Sequence, residues 1–571
     1  MSRDAVREPT LRAVALTDRG VAVLALLALA AVLAYCGWAL DRGFEITDEA
    51  YYLLLAMHPD ATQLYISAQQ WATSLLWDIT GSLTTFRASG FVVLVGSSVV
   101  LGLGILRVAA DRGSWPQRLS VLSVSIICGL LYAITINVSP SYNLLASAGA
   151  YAAFGWMLLA CGQPSGALRF ASLIAAGAAV GVEFVCKPSA GVATWLLVAI
   201  CALVLDGTAR PRWSAVIFLG AGAVACVAAL LLLQTTPGAA LGAFMGGMDL
   251  FRMVQGESIL TRLWRYAVEF SIHTATALKV HAFLIAAVIL HAFWRRWASL
   301  VLVIAALGHV IVSADYFAYG ADQYIKYMQH ALILLALLVL SGWALFSTRE
   351  RWLAAGLVLL PYSVAMGTGN ALFSQVIVSL APWGGLAALA GYARKNTFQG
   401  GAVSRAVLAG FVLMTSVQIL VYQSKLPYNM SSSMREQDLP VSVGALGLVR
   451  VDAPTRQFVQ EMDAAVASCG ITPETPFLGL YNIPGAALAL NAVPVITPWL
   501  NNVAQAEAVL ARAPSVVSEA AIAVKMNADG SLPAFPSQMT DFPSAFRYCG
   551  EATYPYGEQR IRIWKGRIPA S

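Results

Sequence analysis

Phe44-Glu45-Ile46-Thr47-Asp48-Glu49-Ala50-Tyr51-Tyr52 carries three carboxylates and follows directly on the apolar segment 21–40. That segment is long enough to cross a bilayer, so the acidic run emerges where the first helix leaves the hydrocarbon. Ionisable groups at that depth are costly, and they are either solvated at the surface or functional. The adjoining tyrosines suit the interfacial belt, where an aromatic body is buried and its hydroxyl stays wet. Composition alone does not choose between a solvated loop and a site.

The chain around this run belongs in a membrane. Its 571 residues are 58% hydrophobic and 12% charged, with a mean hydropathy of +0.69. Repeated apolar runs of spanning length predict a polytopic α-helical membrane protein with about 13 transmembrane helices. They fall near 21–40, 88–108, 119–136, 142–161, 170–185, 191–205, 214–233, 279–293, 300–313, 330–346, 353–368, 372–392 and 403–421. The net charge of +6 is modest, and no basic stripe is interleaved with aromatics, so nucleic acid is excluded as a partner class.

Charge alternates along the loops. The N-terminus holds Arg3, Arg7, Arg12 and Arg19 and precedes a full span without a small-residue cleavage site; it reads as an uncleaved signal anchor. Short loops carry Arg112 with Arg118, Arg210 with Arg212, Arg295 with Arg296, Arg349 with Arg351, and Arg394 with Lys395. By the positive-inside rule these define a cytoplasmic face. An odd number of spans then places the C-terminus on the opposite side.

Three outward loops are longer. Residues 41–87 carry Trp71, Trp77, Leu75 and Leu76 at helical spacing and predict an amphipathic helix on the membrane surface. Residues 235–278 open with Pro237-Gly238 and contain Arg252, Arg262, Trp264 and Arg265. Residues 313–327 are rich in tyrosine, with Asp315, Asp322 and Lys326. The chain therefore divides into a membrane part, 1–422, and an outward part, 423–571.

From residue 423 the composition turns to Pro, Asn, Asp and Ser, and the pattern predicts a mixed α/β domain of roughly 150 residues. Strands are expected at 475–480, 520–524 and 560–564, and helices at 455–468 and 502–511. No Gly-rich nucleotide loop is present. Six of the eight cysteines lie in or beside apolar spans, where they act as small hydrophobes. Cys469 and Cys549 stand alone in the polar region, which predicts one disulfide and an oxidising compartment. No CxxC or HExxH spacing occurs, against a structural zinc site. A divalent metal is the one cofactor the residues leave open, with His58 and His330 joining the acidic run; a singly hydrogen-bonded histidine at a helix end is the simpler account.

Asp48-Glu49-Ala50-Tyr51-Tyr52, placed just after the first membrane helix, resembles the first-loop acidic motif of the glycosyltransferase C superfamily. Its members include protein O-mannosyltransferases and the aminoarabinose transferases that modify lipid A. The resemblance extends over the membrane portion as architecture: an N-inside first helix, a long acidic outward loop, and about thirteen spans. An outward C-terminal domain resembles that of the aminoarabinose transferases and related bacterial enzymes, which implies a bacterial inner membrane with that domain in the periplasm. The C-terminal sequence itself matches no particular family. The resemblance implies Asp48 as general base, with Glu49 as the alternate base or a group orienting the acceptor; Glu49 paired with a nearby arginine is the competing account. Glu45 suits a capping role at the start of the helix bearing Tyr51, since acids favour a helix N-terminus.

Sugar transfer from a lipid phosphate also needs cations for the departing phosphate. Lys187 interrupts two spans at an outward end, where the positive-inside rule disfavours lysine, and lysine pairs well with phosphate. Arg252, Arg262, Arg265 and Lys326 are further outward cations, with headgroup anchoring as the alternative. Tyr51, Tyr52, Asn137 and Tyr142 are candidates for a sugar or acceptor pocket, which the polar groups of the turn Asn137-Val138-Ser139-Pro140-Ser141-Tyr142-Asn143 could line, although that stretch also suits a plain Pro turn.

The leading reading is an inverting membrane glycosyltransferase. It takes a monosaccharide from a polyprenyl-phosphate donor and gives it to a lipid, glycan or protein acceptor of the envelope. A transporter or flippase of a lipid-linked substrate is the alternative; against it, the charges gather in outward loops and no inverted repeat is evident. An assembly or receptor subunit would explain the outward domain and leave Asp48 and Glu49 idle.

Overall fold

The computed structural model describes residues 3–109, 114–135, 137–161, 163, 166–206, 213–232, 234–253, 258–294, 297–313, 321–393, 398–425, 427–557 and 559–567. Of the charges used above for the two faces, Arg112, Arg210, Arg212, Arg295, Arg296, Asp315, Arg394 and Lys395 lie outside these residues.

Among the described residues nine helices are long and apolar enough to cross a membrane, or up to 11 if each of two bent helix pairs is one span. The difference from thirteen has a local cause in each case. The expected span 279–293 is half of a pair, Leu260–Val280 and Ala282–Trp294, bent by 63°. The span expected at 372–392 is also a pair, Leu372–Ser379 and Ala381–Gly391, bent by 76° beside Pro382. Trp297–Val312 is apolar but short. Thr348–Ala365 starts at a capping box formed by Ser347 and Glu350 and carries Arg349, Glu350 and Arg351 in its first turn, too many charges for a full span.

The centre of the bundle is built by Trp115–Ile134 and Tyr142–Cys161, buried over 83% and 78% of their length, whereas Trp213–Leu232 is buried over only 17% and sits at the edge. Tyr142–Cys161 packs between Leu83–Ala109 and Ala167–Cys186. One end of the bundle is closed by ion pairs. Arg169 grips Asp206 through two bonds of 2.7 and 2.8 Å. Arg405 donates to Asp18 at 2.8 Å, and Arg349 caps the carbonyl of Cys161 at 3.2 Å, a cation at a helix C-terminus.

The Asp18–Arg405 pair joins the starts of the first span, Leu16–Trp38, and the last, Gly401–Val421. Beyond their other ends Arg42 donates to the carbonyl of Gln437 at 2.8 Å. These two helices are parallel neighbours. The loop after the first span and the region after the last emerge on the same side.

That region is a small α/β unit. Strands β1 (Leu439–Ser442) and β2 (Leu448–Val451) form an antiparallel hairpin. Strands β3 (Pro476–Leu480), β4 (Val493–Pro494), β5 (Ala521–Lys525), β6 (Phe546–Thr553) and β7 (Arg560–Arg567) form a mixed sheet in the order β4-β3-β5-β7-β6. β3 is parallel to both β4 and β5, while β7 is antiparallel to β5 and β6. Three of these strands and the helices Ala453–Cys469 and Val503–Leu510 fall where the sequence predicts them. Asp452 and Asn502 cap the two helices by accepting from Thr455 and Gln505 amides. Cys469 and Cys549 form the disulfide, tying the end of the longer helix to β6.

Each sheet face buries a core, and neither core is private to this unit. On one face Phe477, Ala521, Ala523, Ile561 and Ile563 pack with Phe458 and also with Phe44, Ile46, Leu54 and Phe86 of the first outward loop. On the other, Leu478, Leu480, Ile522 and Trp564 pack with Leu64 and Leu250 of two outward loops. Within the first loop, helix Gln70–Thr80 buries Trp71 and exposes Leu75 and Ile79. A helix with one buried and one exposed face thus stands where the sequence shows apolar residues at helical spacing.

Candidate functional site

The acidic run folds because its own carboxylates satisfy its backbone. Helix Asp48–Met57 begins without a side-chain cap from Thr47; Glu45 supplies it. Its carboxylate accepts the amide of Glu49 at 2.6 Å and that of Thr47 at 2.9 Å, together with the Thr47 hydroxyl. Acceptors there meet orphan N–H groups and the positive end of the helix dipole.

Glu49 is consumed in a different way. Arg87 donates to it bidentately, Nε to Oε1 at 2.7 Å and Nη2 to Oε2 at 2.6 Å, with both side chains fully buried. The same guanidinium also donates to the carbonyls of Leu40, Arg42 and Gly43 at 2.9–3.0 Å. The Ser139 hydroxyl completes the group by donating to Glu49 Oε1. Ser139 reaches it because helix Leu83–Ala109 presses on the 137–140 turn at Gly90, where a Cβ would lie 2.0 Å from the carbonyl of Val138. Charge-assisted bonds on both partners make this a structural clamp.

Asp48 alone of the three carboxylates faces open space. It lines a cavity of about 350 Å³ with Tyr52, Tyr132, Tyr142, Tyr324 and Tyr428, and with the amides of Asn143, Asn370 and Gln375. Its Oδ2 accepts from the Tyr428 hydroxyl at 2.9 Å. Burial raises the proton affinity of the Asp48 carboxyl and the Tyr428 bond opposes that rise; burial, helped by Asp48, pushes Glu45 up to about 8. Tyr52 and Tyr142 meet edge to face, with ring centres 5.7 Å apart. Asn370 enters the cavity just before the bent pair Leu372–Ser379 and Ala381–Gly391, and Ser374 and Gln375 enter it from the first helix of that pair.

The other predicted residues divide. Tyr51 lies one layer back, edge-on to Tyr52 and Trp499 at 5.5 Å. Asn137 is buried in its turn, its amide spent on the carbonyl of Ala39 and the N–H of Val138, so it lies off the cavity. Lys187 is buried behind the lining: Nζ donates to the carbonyl of Val364 at 2.9 Å and reaches Asn143 Oδ1 at 3.5 Å. Arg265 donates to the carbonyl of Gly369 at 3.3 Å, next to Asn370. Arg262 lies over Phe251. Arg252 is exposed and paired with Asp249 at 3.2 Å, and Lys326 is exposed one residue beyond the lining residue Ile325.

The histidines proposed for a metal do not gather. His330 bonds His281, Nδ1 to Nε2 at 2.7 Å, and His58 ends the acidic helix. Among the described residues no group of three or more His, Cys, Asp or Glu could hold a metal ion. Sequence reasoning missed Tyr132, Tyr324, Asn370, Gln375 and Tyr428, and it reached Asn143 only as part of the polar turn 137–143. Tyr428 carries no local signal, since 380 positions separate it from Asp48.

No family model matches the chain, and no curated protein matches it. Among solved structures it is similar to ArnT from Cupriavidus metallidurans bound to undecaprenyl phosphate, at 15% identity over 94% of this chain and 97% of that one, with a TM-score of 0.41. The apo state of the same protein gives 15% identity, the same coverage and a TM-score of 0.37. An oligosaccharyltransferase from Archaeoglobus fulgidus, solved with Zn and sulfate, gives 14% identity over 84% of this chain and 62% of that one, with a TM-score of 0.43.

Proposed function

We propose that the protein is an inverting membrane glycosyltransferase that transfers a monosaccharide from a polyprenyl-phosphate donor to a cell-envelope acceptor on the outward face. One observation carries this reading. Asp48 lines a cavity of phenols and amides while Glu45 and Glu49 beside it are occupied in capping and in the Arg87 clamp. A carboxylate whose proton affinity is raised by burial is a better base than one in water. Phenols and amides offer the donors and acceptors that sugar hydroxyls need.

In this reading Asp48 takes the proton of the acceptor hydroxyl as that oxygen attacks the anomeric carbon, and the bond to the donor phosphate breaks with its electron pair on phosphate. Lys187 and Arg265, held beside Asn143 and Asn370, stabilise the departing phosphate. Glu49 positions the loop and takes no proton. Residues 1–422 form the membrane part, with the N-terminus and the ion-paired end in the cytoplasm, and 423–571 form a periplasmic part.

Purified protein in proteoliposomes, given polyprenyl-phosphate carriers bearing labelled sugars, tests the reading. Release of the sugar from its phosphate onto an acceptor is the expected result. Movement of intact carrier across the bilayer without cleavage would establish a flippase instead.

A further inference from the structure

The segment after the last span closes over the acidic run. Tyr428 donates its hydroxyl to Asp48 Oδ2 at 2.9 Å, and Asn429 donates its amide to Thr47 Oγ1 at 2.9 Å. Two consecutive residues of this linker thus hold two consecutive residues of the acidic run. Beside this contact Gly43 adopts φ +70°, a conformation that favours glycine, with the end of the Met430 side chain packed over it. Further along, Trp499 is fixed by a 2.8 Å bond to Asn482 and packs edge-on against Tyr51 of the acidic helix.

We propose that Tyr428 is a positioning residue that holds Asp48 by Oδ2 and presents Oδ1 to the acceptor hydroxyl, making the region after the last span part of the site that activates the acceptor. The functional meaning rests on the reading of Asp48 as base. A carboxylate gripped by one oxygen loses its rotation and keeps the other for proton transfer, which is the geometry a general base requires. The groups facing Asp48 leave this task to Tyr428. Glu45 and the clamped Glu49 are acids on its own loop. Tyr52, Tyr132 and Tyr142 face it from the helices, and Tyr554 from the α/β unit. Tyr428 is the group whose bond to the carboxylate favours its charged form against burial.

Infrared difference spectra of the full chain in lipid nanodiscs, taken across a pH series, read the protonation of Asp48 directly; its band is the one absent in Asp48→Asn. Tyr428→Phe removes one oxygen. The expected result is a midpoint for Asp48 moved upward by about one pH unit, the scale of one hydrogen bond to a charged group, at an unchanged melting temperature. An unmoved midpoint overturns the proposal. If Tyr428→Phe does not fold, Asn429→Ala loosens the same clasp and must move the midpoint in the same direction, with no movement again overturning it. This titration is independent of sugar transfer: retained transfer in Asp48→Asn would sink the function, an unmoved midpoint only the role of Tyr428.

Discussion

Three carboxylates within five residues have three different fates, and each is decided by what lies beyond the acidic run. Glu49 meets Arg87 from the start of the second span, so Glu49→Gln leaves a buried guanidinium short of its counter-charge. Breaking one side of such a pair costs about 3–5 kcal/mol, and the expected result is a markedly lower melting temperature with activity lost in parallel. An unchanged melting temperature would show that the clamp does not hold the loop. Glu45 is readable through pH. Its folded value, about 8, lies above the unfolded value of about 4.3. Its stabilising contribution is fully present below the unfolded value and is lost as pH rises through the folded one. Thermal stability should fall as pH rises between those values, and Glu45→Gln should flatten that fall; an equal slope in both proteins would contradict the assignment.

At the scale of elements, the disulfide is the most local test. It joins residues 80 positions apart, and in the chain-entropy model such a crosslink adds roughly 4 kcal/mol. Cys469→Ser should lower the unfolding temperature of the α/β unit, and both thiols should resist alkylation without reductant. Free thiols in freshly isolated protein would contradict it. Elements with a strong local signal were legible in the sequence. Helix Ala453–Cys469 shows a capping Asp452 and an apolar stripe, and β3, β5 and β7 are short runs between turns. The bends at 281 and 380 were not, because an apolar run looks the same whether it crosses straight or folds back. Strands β1 and β2 do alternate but are only four residues each, too short for a period of two to stand out, and the pattern of β6 is irregular. Asp48 was legible from its place after the first span, whereas Asn370, Gln375 and Tyr428 reach it only through tertiary packing.

On the scale of the whole molecule, the parallel first and last spans bring the acidic loop and the α/β unit to one side, where they share a hydrophobic core. The cavity at Asp48 therefore draws on distant parts of the chain: the first loop, the ends of several helices, a bent helix pair and the linker at Tyr428. Asp48 is the point at which all of them meet, and it is the group whose removal should stop the chemistry while leaving that assembly intact. The decisive measurement is turnover of a labelled polyprenyl-phosphate sugar by wild type and Asp48→Asn at equal folded concentration. A general base contributes about 10²–10⁴-fold, so turnover should fall by that factor with donor binding nearly unchanged; near-normal turnover by folded Asp48→Asn would contradict the account.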